Sequence, residues 1–179
     1  MASKRGTMQI RDATHADLPG ILDIYNEVVA TSTAIYAVAA STPGERQAWF
    51  DVRRAAGFPV LVCVEAGAVL GYASFGEWRG AWAGYRHTVE HSVHVRAGRR
   101  GVGLGQALVE ALFPRALEMR MHVMVGAIDA ANAGSVRFHQ RLGFTEAGRF
   151  HEVGRKFDRW LDLVFMQRLL DARGAEPRA

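Results

Sequence analysis

The stretch "RRGVGLGQAL", residues 99–108, sets three glycines at alternate positions between two arginines and an apolar run, directly after the alternating pattern "TVEHSVHV". A chain so built must turn sharply out of a strand, and the spacing of Ala107, Leu108, Ala111 and Leu112 then predicts a helix. Glycines let the backbone approach a bulky group, and the start of a helix aims free N–H groups and the positive end of its dipole at the same spot. Three phosphate-binding patterns compete for such a loop. A Walker loop requires Lys-Ser or Lys-Thr after the last glycine, and neither follows. A dinucleotide fingerprint counted from Gly101 requires glycine at 106, where Gln106 stands, although Asp129 could mimic the ribose-binding acid. The pattern R-x-x-G-x-G is met by Arg100, Gly103 and Gly105, and a pyrophosphate fits it. A strand-to-helix turn with no ligand is the alternative that the motif alone leaves open.

The flanks supply the architecture. "MQIRDAT" reads as a first strand, and Thr14 with Asp17 starts a helix carrying Leu18, Ile21, Leu22, Ile24, Tyr25 and Val28. Thr42, Pro43 and Glu45 start a second helix, "RQAWFDVRRAA". "PVLVCVE" and "VLGYASFGEW" form a predicted hairpin, "HVMVGAI" a buried strand, "AGSVRFHQRL" a helix stopped by Gly143, and "FTEAGRF" with "WLDLVFMQRLL" two closing strands. The order β-α-α-β-β-β-α-β-α-β-β predicts an α/β (α+β) layer with a mixed sheet. Pro114 inside the helix after the glycine loop is expected to kink it or end it early.

With 49% hydrophobic and 22% charged residues, the 179 residues suit one domain over 8–170, with flexible tails at 1–7 and 171–179. No apolar run nears the ~20 residues of a membrane span, and no signal-peptide pattern opens the chain, so a cytoplasmic location is expected. Cys63, the lone cysteine, lies in an apolar strand pattern and reads as a core residue. Lys and Arg number 22 against 18 Asp and Glu, a net +4 that suits an anionic ligand, but no basic block points to nucleic acid or a membrane surface. The histidines form no metal-binding motif, so no metal is expected.

Taken together, "ADLPGILDIYNEVV", "RQAWFDVRR", "VLGYASFGEWR", "TVEHSVHV", "RRGVGLGQALVEAL", "HVMVGAIDAANAGSVRFHQRLGF" and "VGRKFDRWLDLVFMQ" resemble the GNAT acetyltransferase superfamily over about residues 8 to 170. More narrowly they resemble its phosphinothricin and methionine sulfoximine N-acetyltransferases. The resemblance implies a mostly antiparallel sheet flanked by helices on both faces, acetyl-CoA as co-substrate, a small amino-acid-like amine as acceptor, and a homodimer. It implies that the backbone of Val93, His94 and Val95 faces the pantetheine arm, and that Arg100, Gly101, Val102, Gly103, Leu104, Gly105 and Gln106 hold the pyrophosphate. Asn132 corresponds to an asparagine that contacts the cofactor, or serves as an ordinary helix cap.

Among catalytic candidates, Glu90 is the one carboxylate in the strand leading to the cofactor loop, and the expected general base. His91, with an ordinary pKa near neutrality, is the alternative base. Glu90, His91 and Ser92 correspond to substrate-contacting positions, as do Arg79, Gly80 and Ala81, and the arginine could fork onto a carboxylate or oxyanion. His139 stands where many relatives carry tyrosine: either it or water would protonate the leaving thiolate, or it is a packed, hydrogen-bonded histidine. Lys156 and Arg159 are possible anion contacts, within the chain or across a dimer, and Asp158 stands where relatives usually have glycine. An N-acetyltransferase for another small amine or a peptide N-terminus, and a non-catalytic acyl-CoA-binding module, are the competing functions.

Overall fold

The computed structural model describes residues 8–171, so the expected tail at 1–7 and most of that at 171–179 lie outside it. Chain order gives β1 (Gln9–Asp12), α1 (Leu18–Thr31), α2 (Pro43–Ala55), β2 (Val60–Glu65), β3 (Ala68–Glu77), β4 (Thr88–Val95), α3 (Leu104–Glu118), β5 (Val123–Asp129), α4 (Ala133–Arg141), β6 (Thr145–Lys156) and β7 (Arg159–Leu169). This is the order expected from the sequence, with short 3₁₀ turns added at His15–Asp17 and Ala83–Tyr85.

Local chemistry sets the helix starts. Asp17 accepts from the backbone N–H of Thr14 at 2.8 Å and from both ends of the Arg11 guanidinium at 2.7 and 2.8 Å. The Arg11 hydrogen bonds hold its carboxyl down to about 2. At α2, Glu45 reaches back to the Thr42 N–H at 2.7 Å while Thr42 Oγ1 accepts from the Glu45 N–H at 3.2 Å, closing a reciprocal cap.

The strands form one sheet in the order β1-β2-β3-β4-β5-β7-β6, antiparallel except where β4 meets β5. Helices α1 and α2 cover one face over a core of Ile21, Ile24, Phe50, Val62 and Tyr72. Helix α3 covers the other over Leu108, Leu112, Phe75, Met124 and Met166. Covered on both sides, β3 is buried along its interior instead of alternating. Each fully buried Leu or Phe contributes about 1.5–3 kcal/mol relative to exposure.

Helix α3 does not end at Pro114; it continues to Glu118. The backbone donor that proline lacks would have served the carbonyl of Glu110, an exposed residue whose carbonyl can turn to water. Fully buried Leu112 and Ala116 anchor the helix on either side. Strand β6 also runs beyond the expected "FTEAGRF", as far as Lys156, with register shifts after Glu146 and Phe150. Phe157 and Asp158 then turn the chain with φ of 51° and 57°, and aspartate is among the few side chains that accept such angles. Asp171, placed by the sequence in the tail, is tied to His122.

The feature that makes room for chemistry is the junction of β4 with β5. The strands pair in parallel only at Thr88, Glu90 and the residue between, opposite Val123, Val125 and Met124. Beyond Glu90 they part, while β5 stays paired to β7 as far as Asp129. Main-chain groups of β4 from His91 onward therefore lack a strand partner on that side.

Candidate active site

The parted strands open into a cleft of about 1230 Å³ that reaches the glycine loop at one end and helices α1 and α2 at the other. Val93 and Val95 pack their side chains toward the α3 core, which leaves their backbone to face the cleft. At the loop, Glu27 of α1 accepts from the backbone N–H of Ala97 at 3.1 Å and pairs with Arg100 at 3.3 Å. Arg100 also donates from Nε to the carbonyl of Val95 at 3.0 Å, so it braces the loop while lining the cleft. Gly101 and Gly103 adopt φ of 78° and 86°, and a Cβ on either would meet only open space. Gly103 caps α3 without a side-chain hydrogen bond, leaving the first N–H groups of the helix available to a ligand. Gln106 lines the cleft beside them, Leu104 is buried and Val102 is exposed. Asn132 accepts from the Ser135 N–H at 3.0 Å as the cap of α4, and it also lines the cleft. This arrangement fits an extended chain ending in a pyrophosphate.

Where β4 leaves β5 stands Glu90, half-buried and lining the cleft. Burial raises its carboxyl pKa, and the charge of Arg53 opposes that rise. His91 points to the other face, against Phe144 and His139 at ring-centroid distances of 5.2 and 5.1 Å. Neither ring nitrogen of His91 has a hydrogen-bond partner among the described residues, and burial drives its pKa down to about 3. His139 donates from Nδ1 to the Ser135 carbonyl at 2.8 Å, which fixes Nε2 as the bare nitrogen. Burial also lowers the pKa of His139. Both Nε2 atoms lie 3.1 Å from where a Cβ on Gly126 would stand. His94, facing α1 and α2, is driven down to about 4 by burial and by the charges of Arg46 and Arg100.

The wall opposite β4 comes from α2 and the segment after α1. Arg46 lies 3.8 Å over the Tyr25 ring and 4.8 Å from that of Trp49. The 32–36 segment is fixed from β5, β6 and β7: Thr33 donates to Asp129, Tyr36 donates to the Asp162 carbonyl at 3.0 Å, and Lys156 donates to the carbonyls of Ser32 and Ile35 at 2.8 and 2.7 Å.

These positions revise some expectations. Lys156 is no anion contact here, because it is only 4% exposed and its ammonium is engaged by two carbonyls. Arg159 lies exposed at the start of β7, outside the cleft lining. Arg79, Gly80 and Ala81 sit on the exposed loop after β3, also outside the lining, with Arg79 5.5 Å from the Tyr85 ring. Among the described residues no cluster of His, Cys, Asp and Glu could hold a metal ion. No helix among the described residues is long and apolar enough to cross a membrane.

The acetyltransferase (GNAT) family matches residues 21–144, which take in most of the cleft, including the glycine loop and α4. The chain belongs to the GNAT acetyltransferase family. This GNAT chain is 53% identical over 169 residues to an L-methionine sulfoximine/L-methionine sulfone acetyltransferase of Pseudomonas aeruginosa, covering 94% of this chain and 98% of that protein. It is 48% identical to the L-amino acid N-acyltransferase MnaT of Escherichia coli, covering 96% and 99%. An acetyltransferase structure from Salmonella typhimurium, solved with its cofactor acetyl-CoA, superposes with a TM-score of 0.89 at 45% identity, covering 96% and 99%. The mixed sheet with helices on both faces is the GNAT fold.

The glycine-loop end of this cleft is visible in the sequence, and much of the wall opposite β4 is not. Arg46, Trp49 and Arg53 recur at i, i+3 and i+7 of α2, a spacing that places them on one face. The signal is present in "RQAWFDVRR", but as one of many amphipathic patterns it does not distinguish a cleft wall from a surface. Tyr36 carries no local pattern, Asp129 stands out only as a mimic of a ribose-binding acid, and the tertiary fold brings both to the cleft.

Proposed function

We propose that this protein is an acetyl-CoA-dependent N-acetyltransferase of small amino acids, with L-methionine sulfoximine and L-methionine sulfone as leading acceptors and phosphinothricin next. The observation that carries this reading is the parting of β4 from β5 at Glu90, between a cradle for a pyrophosphate and a chamber walled by aromatic and cationic side chains. The names of the similar proteins choose the acceptor class. Acetyl-CoA supplies an activated acyl carbon. The backbone of β4 at Val93, His94 and Val95, which has no strand partner on the cleft side, would hold its pantetheine arm, and the loop from Gly101 to Gln106 with the start of α3 its pyrophosphate. A β4 N–H at the opening is the natural donor to the thioester oxygen. Glu90, directly or through water, takes the proton from the acceptor ammonium. A buried, neutral His91 is a far weaker base, so we give it no proton in this reaction. His139 has its only N–H engaged by Ser135, so we assign the leaving-group proton to water. A cytoplasmic location belongs to the same proposal, because acetyl-CoA is an intracellular co-substrate.

Thiol release from acetyl-CoA tests the reading. Methionine sulfoximine, methionine sulfone and phosphinothricin are expected to drive release well above unrelated amines, and a panel in which no amino acid does so overturns it.

We further propose that the working form is a homodimer joined through the β6–β7 hairpin. Strand β6 is exposed along nearly its whole length. Phe150, Val153, Phe157 and Trp160 are each more than half exposed there, an apolar surface that a second copy would cover. Light scattering at micromolar concentration is expected to give the two-chain mass. The double variant Phe150→Glu, Trp160→Glu is expected to give the one-chain mass, and an unchanged mass would place the contact elsewhere.

A further inference from the structure

We propose that Arg53, reaching into the gap left by Gly76, is the residue that holds the acceptor's carboxylate. The proposal rests on the functional reading above and names the part of the site that distinguishes an amino acid from a plain amine.

Gly76 of β3 is the antiparallel partner of Glu90 of β4. Side chains at paired positions stand on the same face, with Cβ atoms about 5 Å apart. Gly76 has none, and the space a Cβ would fill is taken by the guanidinium of Arg53 arriving from α2. The cation therefore stands where the cross-strand neighbour of Glu90 would be. It is steadied by Trp49, whose ring lies 5.8 Å from the guanidinium carbon, while Arg46 flanks the same ring at 4.8 Å. Both Arg53 and Glu90 line the cleft.

Two opposite charges placed so close would ordinarily neutralise each other, yet no ion pair or hydrogen bond joins these side chains. Each still feels the other's charge: Glu90 favours the charged form of Arg53, and Arg53 that of Glu90. A cation and an anion held side by side without closing on each other complement a zwitterion. An α-amino acid carries its ammonium and carboxylate on one carbon. With the ammonium directed at Glu90, where its proton must go, the carboxylate falls beside Arg53, and a guanidinium can fork onto it. A plain amine would leave Arg53 half-buried and unpaired, which is the condition under which a site rejects a ligand lacking the matching group. Arg79, on the exposed loop after β3, lies outside the lining of this cleft.

The test compares L-methionine sulfone with its primary carboxamide, which keeps the amine and side chain and removes the negative charge. Wild-type enzyme is expected to favour the acid by about 50-fold or more in kcat/KM. Arg53→Gln is expected to raise KM for the acid roughly 30- to 100-fold with a small change in kcat. The carboxamide and acetyl-CoA KM values should move by less than about threefold, so that the preference collapses. Gly76→Ala, which displaces the guanidinium without removing it, is expected to cause part of the same selective loss. Acetyl-CoA binding by calorimetry verifies that each variant is folded. Equal losses on both acceptors, or a collapse caused by Arg79→Gln and not by Arg53→Gln, overturn the proposal while the functional reading stands. Wild-type protein that acetylates neither compound overturns both.

Discussion

Glu90→Gln is expected to lower kcat by roughly 10²- to 10³-fold, the range in which a positioned general base acts, with little change in acetyl-CoA affinity. The side chain stands where β4 and β5 part, so its removal leaves the glycine cradle and the unpaired β4 backbone as they were. Glutamine keeps the shape and a hydrogen-bonding oxygen but cannot take a proton from an ammonium. The pH dependence follows from burial. Because the carboxyl pKa of Glu90 is raised, the acidic limb of kcat/KM is expected above the ordinary glutamate range. The deprotonated form is the active one, so the rate falls as pH drops through that raised value, and the limb should vanish in Glu90→Gln. Arg53 holds the pKa of Glu90 down, so Arg53→Gln should move the limb to higher pH. Rate profiles with saturating acetyl-CoA test both statements, and full activity in the Glu90→Gln enzyme would transfer the base role to solvent.

The second large effect is expected at the glycine loop. Gly103 sits at φ 86° as the cap of α3, in a conformation that costs an L-residue on the order of 1–3 kcal/mol. Its Cβ position is open, so Gly103→Ala meets no clash and acts by turning the loop and the first N–H groups of the helix away from their line. Acetyl-CoA KM is expected to rise about 10- to 100-fold, since each 1.4 kcal/mol is tenfold in affinity, with acceptor KM unchanged. Gly105 provides the contrast. Its φ lies outside the left-handed region, and an added methyl would make ordinary contact with Phe138 at 3.6 Å and Val95 at 3.7 Å. Gly105→Ala should therefore leave thermal stability nearly unchanged, and any loss of affinity there would report the space the anion needs. Isothermal titration with acetyl-CoA separates the two, and equal affinity in Gly103→Ala and wild type would refute the assignment.

Periodicity and caps made the order of elements legible: reciprocal capping at Thr42 and Glu45 and the switch from alternating to helical spacing at the glycine loop are local signals. Where local rules met tertiary packing, packing won. Pro114 is carried through α3 by the buried residues on either side, and β6 extends because β7 offers a partner along its length. The cofactor half of the site could be read because main-chain geometry leaves a glycine signature. Glu90 could also be read, but the place proposed for Arg53 could not, because it depends on Gly76, 23 residues away and on another element. Lys156 shows the converse, a cation whose sequence context suggests an anion and whose neighbours are two carbonyls.

The parting of β4 from β5 bears on mechanics as well as binding. Strands β1 to β4 and strands β5 to β7 form two half-sheets, stitched directly to each other by only the three residue pairs at Thr88–Glu90. A ligand lying along β4 would supply the missing rungs, adding a clamp along the sheet to the α3 core and the Thr33, Tyr36 and Lys156 hydrogen bonds that already join the two halves. The acceptor chamber borders both halves, with Glu90 on one and Asp129 on the other. Its dimensions are therefore set by the same clamp, which gives an acceptor reason to find its best-shaped site after acetyl-CoA has arrived.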